Sequence, residues 1–359
     1  MNTALPPTGL LCELLAYPER TQIRTPQPKF GWIVNDTAPN THQVAFQILV
    51  ATTLEKLTID QADMWDSGHP DPGGVWQSDN RSLNIVYHGK PLESHTTYYW
   101  KVRTWHSPSN LSPWSEPQTF HTGELTDAYT TAWYPLETSE IKPNRVVQLA
   151  PDHVFIDFGK AAFGTLKLKL NSLKDCDIQI HLGEVPDGSH AIHRNPGGAR
   201  RYQQLSLALQ KGTHTYQLNI PSDPRNTKDF SISMPESLFE VYPFRYCEIT
   251  GCPVPILRSN ICQIAVHYRF TDGAVHFTSS NRVLNDVWNL CEYTMKATSF
   301  CGFYVDGDRE RIPYEADAYI NQLGHYCTDR EFTMARRTHE YLIYTPTWPT
   351  EWILDSVLI

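Results

Sequence analysis

Basic residues are the minority charge in this chain: 30 Lys and Arg stand against 39 Asp and Glu, a formal net charge of -9. No basic cluster is denser than Arg200-Arg201 or Arg336-Arg337, which argues against a nucleic-acid partner. No apolar run approaches the roughly 18 residues of a membrane span, and no membrane partner is expected. The start, Met1-Asn2-Thr3-Ala4-Leu5-Pro6-Pro7, lacks a basic stretch followed by an apolar one, so an unexported, cytoplasmic protein is expected. The eight cysteines form no CxxC pair and no zinc spacing. Cys247 and Cys252 flank a Thr-Gly turn and could approach each other, whereas Cys291 falls on a helical apolar stripe like an ordinary buried thiol; free structural thiols are expected. HExxH, GxGxxG, Walker and GxSxG patterns are all missing, and His325 and His339 read as structural, so no metal and no cofactor is expected.

What is present is aromatic and β-forming. The 359 residues include 10 Trp, 18 Tyr and 26 Pro, enough for two or three domains with cores of their own. Up to about Gly123, alternating runs such as Phe46/Ile48/Val50 and Tyr98/Trp100/Val102 are separated by turns at Pro70-Asp71-Pro72-Gly73-Gly74, Ser107-Pro108-Ser109-Asn110 and Ser112-Pro113, which predicts a β-sandwich over residues 1–124. Residues 125–272 continue the two-residue period, with Leu166, Leu168 and Leu170 facing in and Lys167 and Lys169 out, a second β-sandwich domain. Within it Pro186–Arg201 reads as an exposed excursion.

From residue 273 the period changes to that of helices. Ser279-Ser280-Asn281 can cap a helix carrying Val283, Leu284, Val287, Trp288, Cys291 and Met295 on one stripe. A second helix starts near Pro313 and runs through Ile320, Leu323 and Tyr326. A third spans about Asp329 to Tyr344 with Phe332, Met334, Ala335, Leu342 and Ile343 inward, before Pro346 and Pro349 force an extended stretch. The apolar run from Trp352 to Ile359 ends the chain, an ending that reads as the opening of a helical domain cut short.

Chemistry concentrates in Asp306-Gly307-Asp308-Arg309-Glu310-Arg311-Ile312-Pro313-Tyr314-Glu315-Ala316-Asp317, five carboxylates within twelve residues. If 304–311 is extended, Asp306, Asp308 and Glu310 share one face and Arg309 and Arg311 the other. Like charges on one face raise at least one carboxyl and keep it protonated near neutral pH, poising Glu310 as an acid. Glu315 and Asp317 suit a helix N-terminus. The plainer alternative is a solvated ion-pair network. Phe303, Tyr304, Tyr314, Trp348 and Trp352 surround the acids, and flat aromatic faces beside carboxylates suit sugar rings.

The run Phe303-Tyr304-Val305-Asp306-Gly307-Asp308-Arg309-Glu310-Arg311, followed by Tyr314 and Asp317, resembles the catalytic signature of bacterial α-L-rhamnosidases of glycoside hydrolase family 78. Pro26-Gln27-Pro28-Lys29-Phe30-Gly31-Trp32, Trp65-Asp66-Ser67-Gly68, Tyr98-Tyr99-Trp100-Lys101-Val102-Arg103 and Trp114-Ser115-Glu116-Pro117 are similar to the fibronectin type III-like sandwich that opens many such enzymes. The resemblance implies an inverting hydrolase that removes terminal α-L-rhamnose, built from β-sandwiches followed by an (α/α)6 barrel whose first part is residues 273–359. It makes Glu310 the general acid and places Arg311, Tyr314 and Asp317 as sugar-binding residues, with Tyr314 where Trp is more usual. Asp306 and Asp308 compete for a further sugar-binding position because the loop is about one residue shorter than the common pattern, and Trp348 and Trp352 fall where the family lines its pocket. The general base in the family is a Glu later in the barrel, so the chain reads as a fragment lacking it, inactive alone. The implied partner is a rhamnose-containing glycoside or oligosaccharide, with a homodimer left open. Rival readings are a non-catalytic carbohydrate-binding protein and a phosphorylase or lyase on the same barrel.

Overall fold

The computed structural model describes residues 4–71, 74–188 and 190–357. Expectations resting on Met1–Thr3, on Pro72 and Gly73, and on Leu358 and Ile359 lie outside them. The chain divides into two compact units, Met1–Tyr134 with Arg330–Thr333, and Pro135–Asp329 with Met334–Ile359.

In the first unit a three-stranded sheet (Ala4–Cys12, Lys29–Asp36, Ile85–Val86) faces a five-stranded one in which Thr97–Ser107 pairs with Ala45–Ala51, Asn110–Leu111 and Gln118–His121. Phe30 of the smaller sheet packs between Trp100 and Phe120 of the larger, at ring distances of 4.4 and 6.0 Å. The expected inward set Tyr98, Trp100 and Val102 is fully buried. Aromatic rings this large fill an inter-sheet space of about 10 Å with few residues. A short α-helix, α1 (Leu54–Thr58), is capped by Thr53.

The second unit opens with an eight-stranded antiparallel sheet in the order Tyr202–Leu209, Cys176–Gly183, Tyr242–Thr250, His153–Ser172, Ile261–His267, Glu137–Ile141, with Arg145–Ala150 and Gly212–Gln217 also pairing to His153–Ser172. That 20-residue strand can serve four partners because its register breaks between Asp157 and Ala162. Gly159, with φ at +88°, sits in the break, a backbone state that costs glycine nothing. Leu166, Leu168 and Leu170 point into the core beside Ile178, Ile180, Leu182 and Phe244, as the alternation requires.

Helices follow: α2 (Arg282–Thr298), α3 (Glu315–Thr328), α4 (Thr333–Tyr344) and the short α5 (Thr350–Ile353). Asn281 caps α2, its side chain accepting from the Val283 amide at 2.9 Å. The structure corrects the expected inward faces. No residue of α2 is buried, Val283, Leu284 and Val287 are exposed, and Cys291 is an exposed thiol rather than a buried one. On α3 the buried stripe is the polar one, Glu315, Ala318, Gln322 and His325, while Ile320, Leu323 and Tyr326 are exposed. Glu315 accepts from Thr347 and His325 Nδ1 meets the Tyr304 hydroxyl, partners that allow a helix to turn that face inward. On α4 Met334, Ala335 and Leu342 are buried as expected, but Ile343 is exposed and Phe332 precedes the helix.

The sheet and the helices share one apolar cluster: Val241 and Val266 meet Phe300, Cys301, Phe303 and Val305. All eight cysteines are free. No helix among the described residues is long and apolar enough to cross a membrane.

Candidate active site

The chemistry-bearing segment runs from that apolar cluster into the start of α3. Phe300 to Val305 are buried and pin its beginning. The chain then turns instead of extending: Gly307 has φ at +103° and Arg311 at +56°. The loop closes on itself, with the Asp306 amide donating to the Ile312 carbonyl at 3.3 Å and the Arg311 amide to that of Gly307 at 3.3 Å. The expected alternation of residues 304–311 is therefore replaced by a tight loop that sorts the charges differently.

One side of the loop gathers Asp306, Arg309, Glu310 and Tyr314. Tyr314 Oη donates to Glu310 Oε2 at 2.7 Å. Arg309, expected to point away, bridges the two acids, its Nη2 at 3.3 Å from Asp306 Oδ2 and 3.6 Å from Glu310 Oε2. The Glu310 side chain keeps 25% of its surface exposed, enough to reach a ligand. Burial pushes the Asp306 carboxyl above its ordinary range, and the Glu310 charge adds to that. Burial also raises Asp317, on the first turn of α3, with Arg309 pulling it back. Arg309 thus acts electrostatically on Asp306, Tyr314 and Asp317 alike. The Tyr314 hydroxyl is raised by burial and by its bond to Glu310.

Aromatic rings form a wall beside these acids. Trp348 and Trp352 meet Tyr314 edge-on, at centroid distances of 5.2 and 5.8 Å. Trp348 is 69% exposed. The extended stretch before α5 is tied to α3, because Thr347 donates its amide to buried Glu315 at 3.0 Å and its hydroxyl to the same carboxylate.

The other side of the loop is buried. Asp308 and Arg311, expected beside the sugar, are engaged with each other and with the β-domain: Arg311 donates to Asp308 Oδ1 through Nε at 2.9 Å and Nη2 at 2.7 Å, and to Glu240 at 2.6 Å. Arg201 reaches Asp308 from the other side. Of the two candidates for the position before the acid, Asp306 is the one that shares a guanidinium with Glu310. Sequence reasoning missed Arg201, Asn226, Ser231 and Glu240, and it misplaced Arg309. Nothing local marks the first four, which lie far from Glu310 in the chain.

Beneath the loop, α3 buries His325. Its Nδ1 lies 2.6 Å from the Tyr304 hydroxyl and its ring stacks on Phe270 at 4.6 Å. Burial lowers its pKa to about 4. An unfolded histidine binds its proton near pH 6.5, so the folded state gives up about 3 kcal/mol relative to the unfolded as pH falls from about 6.5 to about 4, with no effect above that window. Urea midpoints at pH 7.5 and 4.5 are expected to differ markedly more in the parent chain than in His325→Gln; equal differences would refute the assignment.

Among the described residues no group of three or more His, Cys, Asp or Glu is placed to hold a metal ion. The arrangement supplies a partly exposed carboxyl, two further carboxyls raised by burial, one bridging guanidinium and an aromatic wall, a set suited to proton donation onto a bound sugar.

Comparison with known proteins identifies relatives. Residues 7–126 match the Rha78A-like, N-terminal immunoglobulin domain, and residues 272–346 match the bacterial alpha-L-rhamnosidase 6 hairpin glycosidase domain. An alpha-L-rhamnosidase of Formosa agariphila is 37% identical over 249 residues, 59% of this chain and 25% of its own length. Another, of Streptomyces avermitilis, is 35% identical over 96 residues, 27% of this chain and 8% of its own. The fold is that of the alpha-L-rhamnosidase from Dictyoglumus thermophilum, with a TM-score of 0.69 at 15% identity over 97% of this chain and 58% of that one. The enzyme from Aspergillus terreus superposes with a TM-score of 0.62 at 12% identity, covering 93% and 57%. The chain thus spans a quarter of the Formosa relative and somewhat over half of the two solved structures.

Proposed function

Because this chain is a relative of the bacterial α-L-rhamnosidases through both its N-terminal sandwich and its helical segment, we propose that it supplies the general acid of an inverting α-L-rhamnosidase, with Glu310 as that acid. The observation that carries the reading is the Glu310–Tyr314 hydrogen bond of 2.7 Å beside the exposed face of Trp348. It sets a carboxyl next to an aromatic surface on which a sugar ring can lie.

In this mechanism Glu310 gives its proton to the glycosidic oxygen as the bond to the anomeric carbon breaks. Tyr314 holds the carboxyl in place and Arg309 compensates the negative charge left after transfer. Asp306 and Asp317 bind sugar hydroxyls, and Tyr314, Trp348 and Trp352 form the wall of the pocket. Asp308 and Arg311 act behind the loop rather than on the sugar. Inversion requires a second carboxylate about 6.5–9.5 Å across the ring to activate water. We assign that part to none of the loop's acids, since Asp308 is locked between guanidiniums and Asp306 shares Arg309 with Glu310. Turnover is accordingly proposed for the protein in which the barrel is complete, and residues 1–359 by themselves are expected to be inactive. The eight free thiols support a reducing compartment such as the cytoplasm.

The test uses the product of the complete reading frame with a panel of p-nitrophenyl glycosides. Release from the α-L-rhamnoside alone, with β-L-rhamnose as the first product seen by proton NMR, is the expected result. An α-anomer appearing first would overturn inversion. No release from any glycoside by a folded protein would remove the hydrolase reading in favour of a carbohydrate-binding one.

A further inference from the structure

We propose that Arg201 is a positioning residue for Glu310, acting through Asp308, so that the loop bearing the acid takes its shape from the β-domain and not from the helix that follows it. The inference rests on the assignment of Glu310 as the acid.

Three of the four backbone carbonyls from Asp308 to Arg311 are held by groups from the β-domain. The Asp308 carbonyl accepts from Arg201 Nη1 at 3.3 Å and from Asn226 Nδ2 at 3.1 Å. The Glu310 carbonyl accepts from the Ser231 hydroxyl at 2.7 Å. The Arg311 carbonyl accepts from the Ile232 amide at 2.8 Å. The loop's own closing bonds, at 3.3 to 3.4 Å, are longer than those from Asn226, Ser231 and Ile232.

The side chain of Asp308 doubles the attachment. Its carboxylate lies between Arg201 and Arg311 and also accepts from Asn226 Nδ2 at 3.0 Å. Arg201 is 2% exposed and forks, one nitrogen on Asp308 and the other on Asp223. Only a guanidinium can do both in one plane; a lysine has a single ammonium to place. What this clamp has to hold is a strained turn, since Arg311 is a bulky residue at φ +56° immediately after the acid. Such a conformation persists only where its surroundings over-determine it. With the clamp loosened, the 308–311 peptides relax and the Glu310 carboxyl leaves its place, a displacement that catalysis registers steeply.

A misplaced acid has a signature that general weakening of the protein lacks. A poor leaving group needs the proton, whereas 2,4-dinitrophenolate departs without one. The experiment compares kcat/KM on phenyl and 2,4-dinitrophenyl α-L-rhamnosides for the complete reading frame's product carrying Arg201→Lys, Asn226→Ala or Ser231→Ala, with melting temperature and circular dichroism confirming the folded state. We expect Arg201→Lys to lose about 30-fold or more on the phenyl substrate and less than about 3-fold on the dinitrophenyl one, with Asn226→Ala and Ser231→Ala following in the same direction by smaller factors. Equal losses on both substrates, or none, in every variant that folds would overturn the positioning role. A parent enzyme inert on both substrates, or a Glu310→Gln variant without leaving-group dependence, would instead overturn the assignment of Glu310, and the inference with it. Ser231→Ala, which deletes one hydroxyl outside the buried ion pairs, keeps the comparison decisive should Arg201→Lys unfold.

Discussion

Glu310→Gln is expected to lower kcat/KM on phenyl α-L-rhamnoside by about 10²–10⁴-fold, the contribution of a positioned general acid, in the product of the complete reading frame. The substitution keeps the shape of the site, because the amide oxygen can still accept from the Tyr314 hydroxyl that now donates at 2.7 Å. It removes the proton donor and one of the two carboxylates that Arg309 bridges. Affinity for L-rhamnose, followed by calorimetry, should change little. A loss smaller than about tenfold would move the acid elsewhere. Asp306 is then the first alternative, since burial raises its carboxyl and the Glu310 charge raises it further.

Asp308→Ala is expected to be the most damaging change to stability in the loop, about 3–5 kcal/mol. The carboxylate lies between Arg201 and Arg311, which are 2% and 1% exposed, and removing it leaves each buried cation with one remaining carboxylate, Asp223 or Glu240. Urea denaturation should register the loss, and the melting temperature should fall by about 10 °C for a unit of this size. The pair Arg201→Met with Asp308→Leu tests the cause, because exchanging both partners for apolar groups leaves fewer charges stranded and should recover much of the stability. A double variant no better than Asp308→Ala would show that the loss comes from packing, not from charge.

The parts of the fold that were legible in the sequence are those decided by near neighbours. Leu166, Leu168 and Leu170, and Tyr98, Trp100 and Val102, face inward because a strand alternates whatever its partners, and Asn281 caps α2 because its side chain needs only an amide two residues on. The grouping of the candidate site residues was legible for the same reason: Glu310 and Tyr314 are four residues apart and meet in space, and Trp348 and Trp352, singled out by type, meet Tyr314. The extended reading of 304–311 failed where alternation ceased to apply, since Gly307 and Arg311 occupy left-handed conformations that residue type alone does not announce for an arginine. Amphipathicity misled on α3, where Glu315 is buried against Thr347 and His325 against Tyr304 while Ile320 and Leu323 stay exposed. A helical period tells that two faces differ; which one turns inward depends on partners dozens of residues away. Arg201, Asn226 and Glu240 escaped for that reason too.

The apolar cluster in which Val241 and Val266 meet Phe300, Phe303 and Val305 bears on how this protein can be taken apart. The helical family match begins at residue 272, yet a cut there would leave one half of that cluster on each piece, stripping Phe300 and Phe303 of the wall they pack on and freeing the carbonyls of the acid loop from Ser231 and Ile232. Neither piece would keep that cluster whole. The strands from Pro135 onward and the segment from Phe300 to Val305 share that cluster, so the two are expected to lose their structure in one cooperative step.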